Sequence, residues 1–171
     1  MKTRILLILL SLGLLFTTWG CAHDWYKQPE KFKVQPSRLN WVSIYYQASA
    51  KSPRIRCEMS DNGQKITILE GHSVTVGDDF NIEYHKRTFS DVKKYYYSMP
   101  PEMFQMTLQT LIDVGLMERE EPDEDDPLYP KVMIKANINH VRMDKFTFKQ
   151  ELIDEIRTLL FQYKMSGSVG N

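Results

Sequence analysis

The chain predicts an α+β fold, an antiparallel sheet with two principal helices packed on one face. Three observations predict it. Hydrophobicity alternates with a period of two from Trp41 onward, Asn62-Gly63 separates two of the alternating runs, and two later stretches change to the three-and-four spacing of amphipathic helices. Strands, helix, strand, helix in that order fit a sandwich of two layers.

The first strand is WVSIYYQAS, with Val42, Ile44, Tyr46 and Ala48 on one side and Trp41, Ser43, Tyr45 and Gln47 on the other, the pattern of a half-buried strand. PRIRCEM (residues 53–59) and QKITIL (residues 64–69) flank Asp61-Asn62-Gly63. Asn-Gly between two such runs signals a hairpin, because both turn positions want positive φ. HSVTV and FNIEYH continue the pattern, with Gly71 and Gly77-Asp78-Asp79 as turns. Residues 41–85 therefore read as four or five short antiparallel strands that need a cover on one face.

SDVKKYYYSMPPEMFQMTLQTLIDVGLM reads as that cover, a helix in two pieces. Ser90 caps a first piece carrying Val92, Tyr95, Tyr96 and Tyr97, and Pro100-Pro101 forces a break before the second. In the second piece Phe104, Leu108, Leu111 and Ile112 recur at three and four, and Gly115 is a natural stop. Three consecutive tyrosines cannot all face one way on a helix. At least one reaches the surface, where it can anchor a partner, the alternative being that all three rings border the core.

YPKVMIKANINHVRM reads as one more strand, with Val132, Ile134, Ala136 and Ile138 alternating against Lys135, Asn137 and Asn139. The last helix starts at a capping box of Thr147 and Gln150, with Phe146 just outside it. Phe148, Leu152, Ile156, Leu159 and Tyr163 form its stripe, Ile153 and Leu160 lie beside it, and Gly167 ends it. Burying five or six such side chains contributes on the order of 10 kcal/mol before entropy is counted, so this helix belongs to the core.

Upstream of the domain stands MKTRILLILLSLGLLFTTWGC. Lys2 and Arg4 precede a run, residues 5–16, that is apolar apart from Ser11 and Gly13. Crossing a bilayer takes about 20 apolar residues, whereas a signal peptide needs roughly 7 to 15, so the run reads as a cleaved leader. The alternative is an uncleaved anchor extending through Thr17, Thr18 and Trp19.

The end of the run, Thr18-Trp19-Gly20-Cys21, resembles the signal peptide of bacterial lipoproteins, in which a small residue precedes a cysteine that is lipidated and becomes the new N-terminus. Gly20 and Cys21 match that pattern, while Thr18 and Trp19 depart from the aliphatic and small residues usual there. The resemblance implies a signal peptide over residues 1–20 and a palmitate-bearing lipid anchor on Cys21. Ala22 in place of Asp implies sorting to the outer membrane of a Gram-negative envelope, with the domain on the periplasmic side.

Cysteine usage fits this resemblance. Exported thiols are normally oxidised, and the chain has two, Cys21 and Cys57. With Cys21 lipidated, Cys57 stands alone, and its place between Ile55 and Met59 puts it in a buried face of a strand. If the chain is cut elsewhere upstream, the two cysteines can instead pair, closing a loop worth a few kcal/mol.

Residues 21–40, with Pro29 and Pro36 and no steady period, read as a tether, residues 41–165 as a single α+β domain and residues 166–171 as a tail. The full chain has 22 basic and 22 acidic side chains. Loss of Lys2 and Arg4 with the leader leaves 20 against 22, near neutrality and without the electrostatic footprint of a nucleic-acid binder.

Motifs that carry chemistry are sparse. EREEPDEDDPLYP places seven carboxylates within residues 118–126 but lacks the glycine and the spacing of an EF-hand, and Pro122, Pro127 and Pro130 oppose a coordinating curl. It reads as a solvated acidic loop in which Asp123, Glu124, Asp125 and Asp126 can meet a basic partner, and no metal or cofactor is expected. The histidines at 23, 72, 85 and 140 form no H-E-x-x-H, and neither a G-x-S-x-G nor a phosphate loop occurs. His85 beside Glu83 or Asp91, and His140 beside Asp144, support a hydrolase only as an alternative, and no residue is assigned as catalytic.

The reading that results is a membrane-anchored envelope module for protein interaction or assembly. It is held to the lipid bilayer through Cys21 and meets an envelope protein through Tyr95, Tyr96 and Tyr97 or the acidic loop. A second alternative is an inhibitor of an exported hydrolase.

Overall fold

A computed structural model of the chain describes residues 32–61, 65–74, 91–121 and 123–170. Strands β1 (Trp41–Gln47), β2 (Arg54–Ser60), β3 (Lys65–Gly71) and β4 (Lys93–Ser98) come first. Helix α1 (Pro101–Asp113), strands β5 (Lys131–Ile138) and β6 (Val141–Phe146), helix α2 (Gln150–Ser166) and strand β7 (Ser168–Gly170) follow. Every pairing is antiparallel, in the order β6-β5-β1-β2-β3-β4-β7. The α+β class and the two helices are as the sequence predicts.

The registers line side chains into rows across the sheet. On the helix side one row runs Tyr95, Ile68, Cys57, Ile44, Ile134 and Lys145, and the next runs Tyr97, Ile66, Met59, Val42, Ala136 and Met143. Phe104, Leu108, Leu111 and Ile112 of α1 and Leu152, Ile156 and Leu160 of α2 close the core above them. The Thr107 and Tyr163 hydroxyls, 3.1 Å apart, join the two helices, and burial pushes the Tyr163 phenol up to about 12.

Strand β1 is buried more fully than its alternation suggests. Tyr45 and Gln47, on the face away from the helices, are buried with Arg56, Glu58 and Leu69. Arg56 and Glu58 form an ion pair there at 2.6 Å. Pairing on both edges, to β2 and to β5, makes β1 an interior strand whose flanking residues cover it.

Several expectations need correcting. The run with Tyr95, Tyr96 and Tyr97 is strand β4, not helix: aromatic residues favour the pleated surface, and alternation sends Tyr95 and Tyr97 to the helix layer and Tyr96 to the other face. Residues 131–146 are two strands, not one. Asn139 and His140, both at positive φ (52° and 67°), form a two-residue turn of the kind that needs left-handed backbone at both central positions.

The capping box is absent. Lys149 precedes α2 without a side-chain cap, because the Thr147 hydroxyl donates instead to Glu120 Oε1 at 2.7 Å. Gly167 does end α2, and Pro101 opens α1.

Residues 32–40, read in the sequence as the end of a tether, belong to the fold. Phe32 and Val34 pack on the core, Gln109 of α1 accepts from the Val34 N–H and donates to the Phe32 carbonyl, and Asn139 accepts from the Gln35 N–H and donates to the Lys33 carbonyl. Part of the tail likewise joins the sheet, as β7 alongside β4. HSVTV does not begin as a strand, since His72 and Ser73 form a turn closed by the Val74 N–H donating to the Gly71 carbonyl. The Asn62-Gly63 turn, residues 75–90 with His85 and Ser90, Cys21 and the leader lie outside the described residues, although Ser60 opposite Lys65 sets β2 and β3 in hairpin register.

Candidate functional site: a groove beside the β6 edge

Strand β6 closes one side of the sheet and lines a groove of about 550 Å³. Met143, Asp144, Lys145 and Phe146 form one wall, residues 116–120 the other, and Phe148 the end. Leu116 and Met117 are buried beneath it, whereas Phe146 is 52% exposed. The groove thus combines apolar side chains with a rim of alternating charge.

The rim is built by a lysine in an unusual place. Lys145 follows Val141 and Met143 on the helix side of the edge strand, where alternation calls for an apolar residue. Its ammonium, with the side chain 11% exposed, meets Glu120 Oε1 at 2.8 Å and donates to the carbonyls of Gly115, Leu116 and Glu118. Glu120 also accepts from the Thr147 hydroxyl and the Phe148 N–H. Burial alone would raise the Glu120 pKa; the hydrogen bonds from Lys145, Thr147 and Phe148 outweigh it and hold the carboxyl below the ordinary carboxylate range.

Alongside, Lys149 Nζ lies 2.7 Å from Glu118 Oε2, a bond that raises the lysine pKa. Gly115, at φ 110°, makes room for this pair, since a Cβ there would stand 2.7 Å from Lys149 Nζ.

Loop residues 118–120 are therefore part of the fold, because Glu120 faces Lys145 of β6 and Glu118 faces Lys149 just before α2. Only the far end matches the solvated loop of the sequence reading. Asp123, Glu124 and Asp125 are exposed, Asp126 is half-buried, and the Asp126 carboxylate accepts from the Asp123 N–H.

The other candidates lie elsewhere. Tyr95 donates to Glu70 beneath Lys164, and the Tyr97 ring lies 5.3 Å from that of Tyr163, so both serve internal packing. His140 is exposed in the β5–β6 turn, while Asp144 pairs with Lys135 at 3.4 Å. Cys57 is a free, buried thiol whose pKa burial pushes up, as its strand position predicts. Among the described residues no His, Cys, Asp and Glu cluster could hold a metal, and no helix is long and apolar enough to cross a membrane.

The groove was missed in the sequence because its parts are far apart. The one local clue is the charge at the third inward position of VRMDKF. In chemical terms the groove offers apolar contact and a satisfied charged rim, and its lining contains no histidine, cysteine or serine.

Comparison with family models, curated proteins and solved structures found no match for the chain. The class these observations define is an α+β protein with its helices on one side of the sheet and a groove along one sheet edge.

Proposed function

We propose that the chain is a lipid-anchored interaction module of a bacterial envelope. Cys21 holds it to the periplasmic side of the outer membrane, and the β6 side of the domain meets a protein partner. The observation that carries the interaction reading is the groove itself: exposed Phe146, half-buried Met143 and Phe148, and charges already neutralised by internal pairs. Such a surface loses little on desolvation and gains from apolar contact. The anchor reading rests on the leader and Cys21, and confinement to a membrane plane raises the local concentration of a weak binder.

Intact mass of the protein recovered from its native membranes, beside a Cys21→Ser form, tests the anchor. Loss of residues 1–20 with an added diacylglyceryl or triacyl group, absent from the variant, is expected. An unmodified N-terminus, with Cys21 bonded to Cys57, overturns the anchor and favours the secreted inhibitor. A photoreactive side chain at Phe148 tests the surface, with protein adducts expected there and not at exposed Leu128; adducts only at Leu128 would place the contact elsewhere.

A further inference from the structure

The two-residue turn at Asn139 and His140 sets the hydrogen-bond phase of β6. Ile138 and Val141 flank the turn and exchange both backbone bonds, so Val141, Met143 and Lys145 bond inward to β5. The Thr147 N–H donating to the Val132 carbonyl keeps the same phase. The N–H and C=O groups of Arg142, Asp144 and Phe146 consequently point off the sheet, and among the described residues none of them has a hydrogen-bond partner. The opposite edge, β7, is only three residues long.

An inward-pointing lysine on an edge strand ordinarily repels a second strand. Lys145 does not present its charge this way, because Glu120 and three carbonyls engage the ammonium within the fold. The charges that do face outward are Arg142 and Asp144. Arg142 is exposed and has no ion pair among the described residues, and Asp144 remains 60% exposed beside Lys135.

We propose that β6 pairs antiparallel with β6 of a second copy of this chain about a two-fold axis at Met143. The charge pattern selects this register. Pairing about Arg142 or about Asp144 would set like charges face to face, and pairing about Lys145 would leave both charges unmatched. Pairing about Met143 sets Arg142 against the partner's Asp144 and Asp144 against the partner's Arg142, with the outward backbone groups of both residues bonded across the axis. A contact of this kind is self-complementary and closes as a dimer.

This inference deepens the interaction reading by naming the partner of the β6 side, and it rests on that reading for the location alone. The test uses the full chain in its membranes. Met143→Cys places two cysteines across the axis as a non-hydrogen-bonded pair, with Cα atoms about 4.5 Å apart and within disulfide range. Mild oxidation should give a disulfide-linked dimer with Met143→Cys, and not with the unsubstituted chain or with Val141→Cys, whose opposite is Lys145.

Adding Arg142→Asp should lower the linked fraction about tenfold, and combining it with Asp144→Arg should restore it. Sedimentation of the detergent-extracted unsubstituted chain should show the same dimer without any cysteine. A monomer at all concentrations overturns the proposal. So do equal linking at positions 141 and 143, single reversals without effect, a double reversal that fails to restore, or linkage to a different protein. Failure of the anchor would appear in the mass of the chain and leave the dimer in solution unchanged.

Discussion

At the scale of single residues the structure turns on charges placed where apolar groups would be expected. Lys145 and Glu120 fasten the loop after α1 to the edge strand, and the lowered pKa of Glu120 makes that fastening depend on pH. A carboxyl whose folded pKa lies below its unfolded value, about 4.3, contributes stability above that value and loses it as pH falls through the folded one. Glu120→Gln should therefore cost about 1–2 kcal/mol at neutral pH, with the gap to the unsubstituted chain closing below about pH 4. Urea midpoints measured from pH 3 to 7 check this, and a gap independent of pH would remove Glu120 from the linkage. Cys57, 1% exposed on the central strand β2, should react with alkylating agents only as fast as the domain unfolds. Rapid labelling under native conditions would show that β2 opens locally.

At the scale of elements, turns decide more than propensities do. His140 occupies left-handed backbone at φ 67° in a turn that favours glycine at that place. His140→Gly should stabilise the hairpin by up to about 1 kcal/mol, a rise of roughly 2–4 °C in Tm, readable by thermal melting. The tyrosine run shows the opposite case. Its consecutive aromatic residues satisfy a helical window only weakly, yet in β4 they alternate cleanly, with Tyr95 opposite Ile68 and Tyr97 opposite Ile66. The sequence reading failed there because it extended the strong pattern of α1 backward across Pro100-Pro101, and succeeded where the period was long, over α1, α2 and β1. The capping box failed because Thr147 bonds Glu120, a partner 27 positions away that no local motif contains.

At the scale of the whole molecule, one core joins both helices to six strands. Ile156, wholly buried on the inner face of α2, should cost about 3–4 kcal/mol on truncation to Ala, measured by chemical denaturation. The clamp of Asn139 on residues 33–35 ties the start of the domain to its far hairpin, with bonds spanning more than 100 positions. Asn139→Gly keeps the turn and removes the clamp. Proteolysis should then cut residues 32–40 faster while the core resists, and an unchanged cleavage pattern would mean that Gln109, Asn137 and the packing of Phe32 and Val34 hold the segment without the clamp.

What the sequence determined by itself was whatever a short window encodes. The period of two over β1 to β3, the stripes of α1 and α2, the burial of Cys57 and the fold class are all set by the spacing of apolar residues, since burying them dominates the free energy of each element. What the tertiary structure alone decided was strand order, the docking of residues 32–40 and the groove. These depend on contacts such as Lys145 with Glu120 and Asn139 with Lys33, made between segments far apart in the chain. Their energy comes from hydrogen bonds satisfied at a distance, which leave no periodic trace along the sequence.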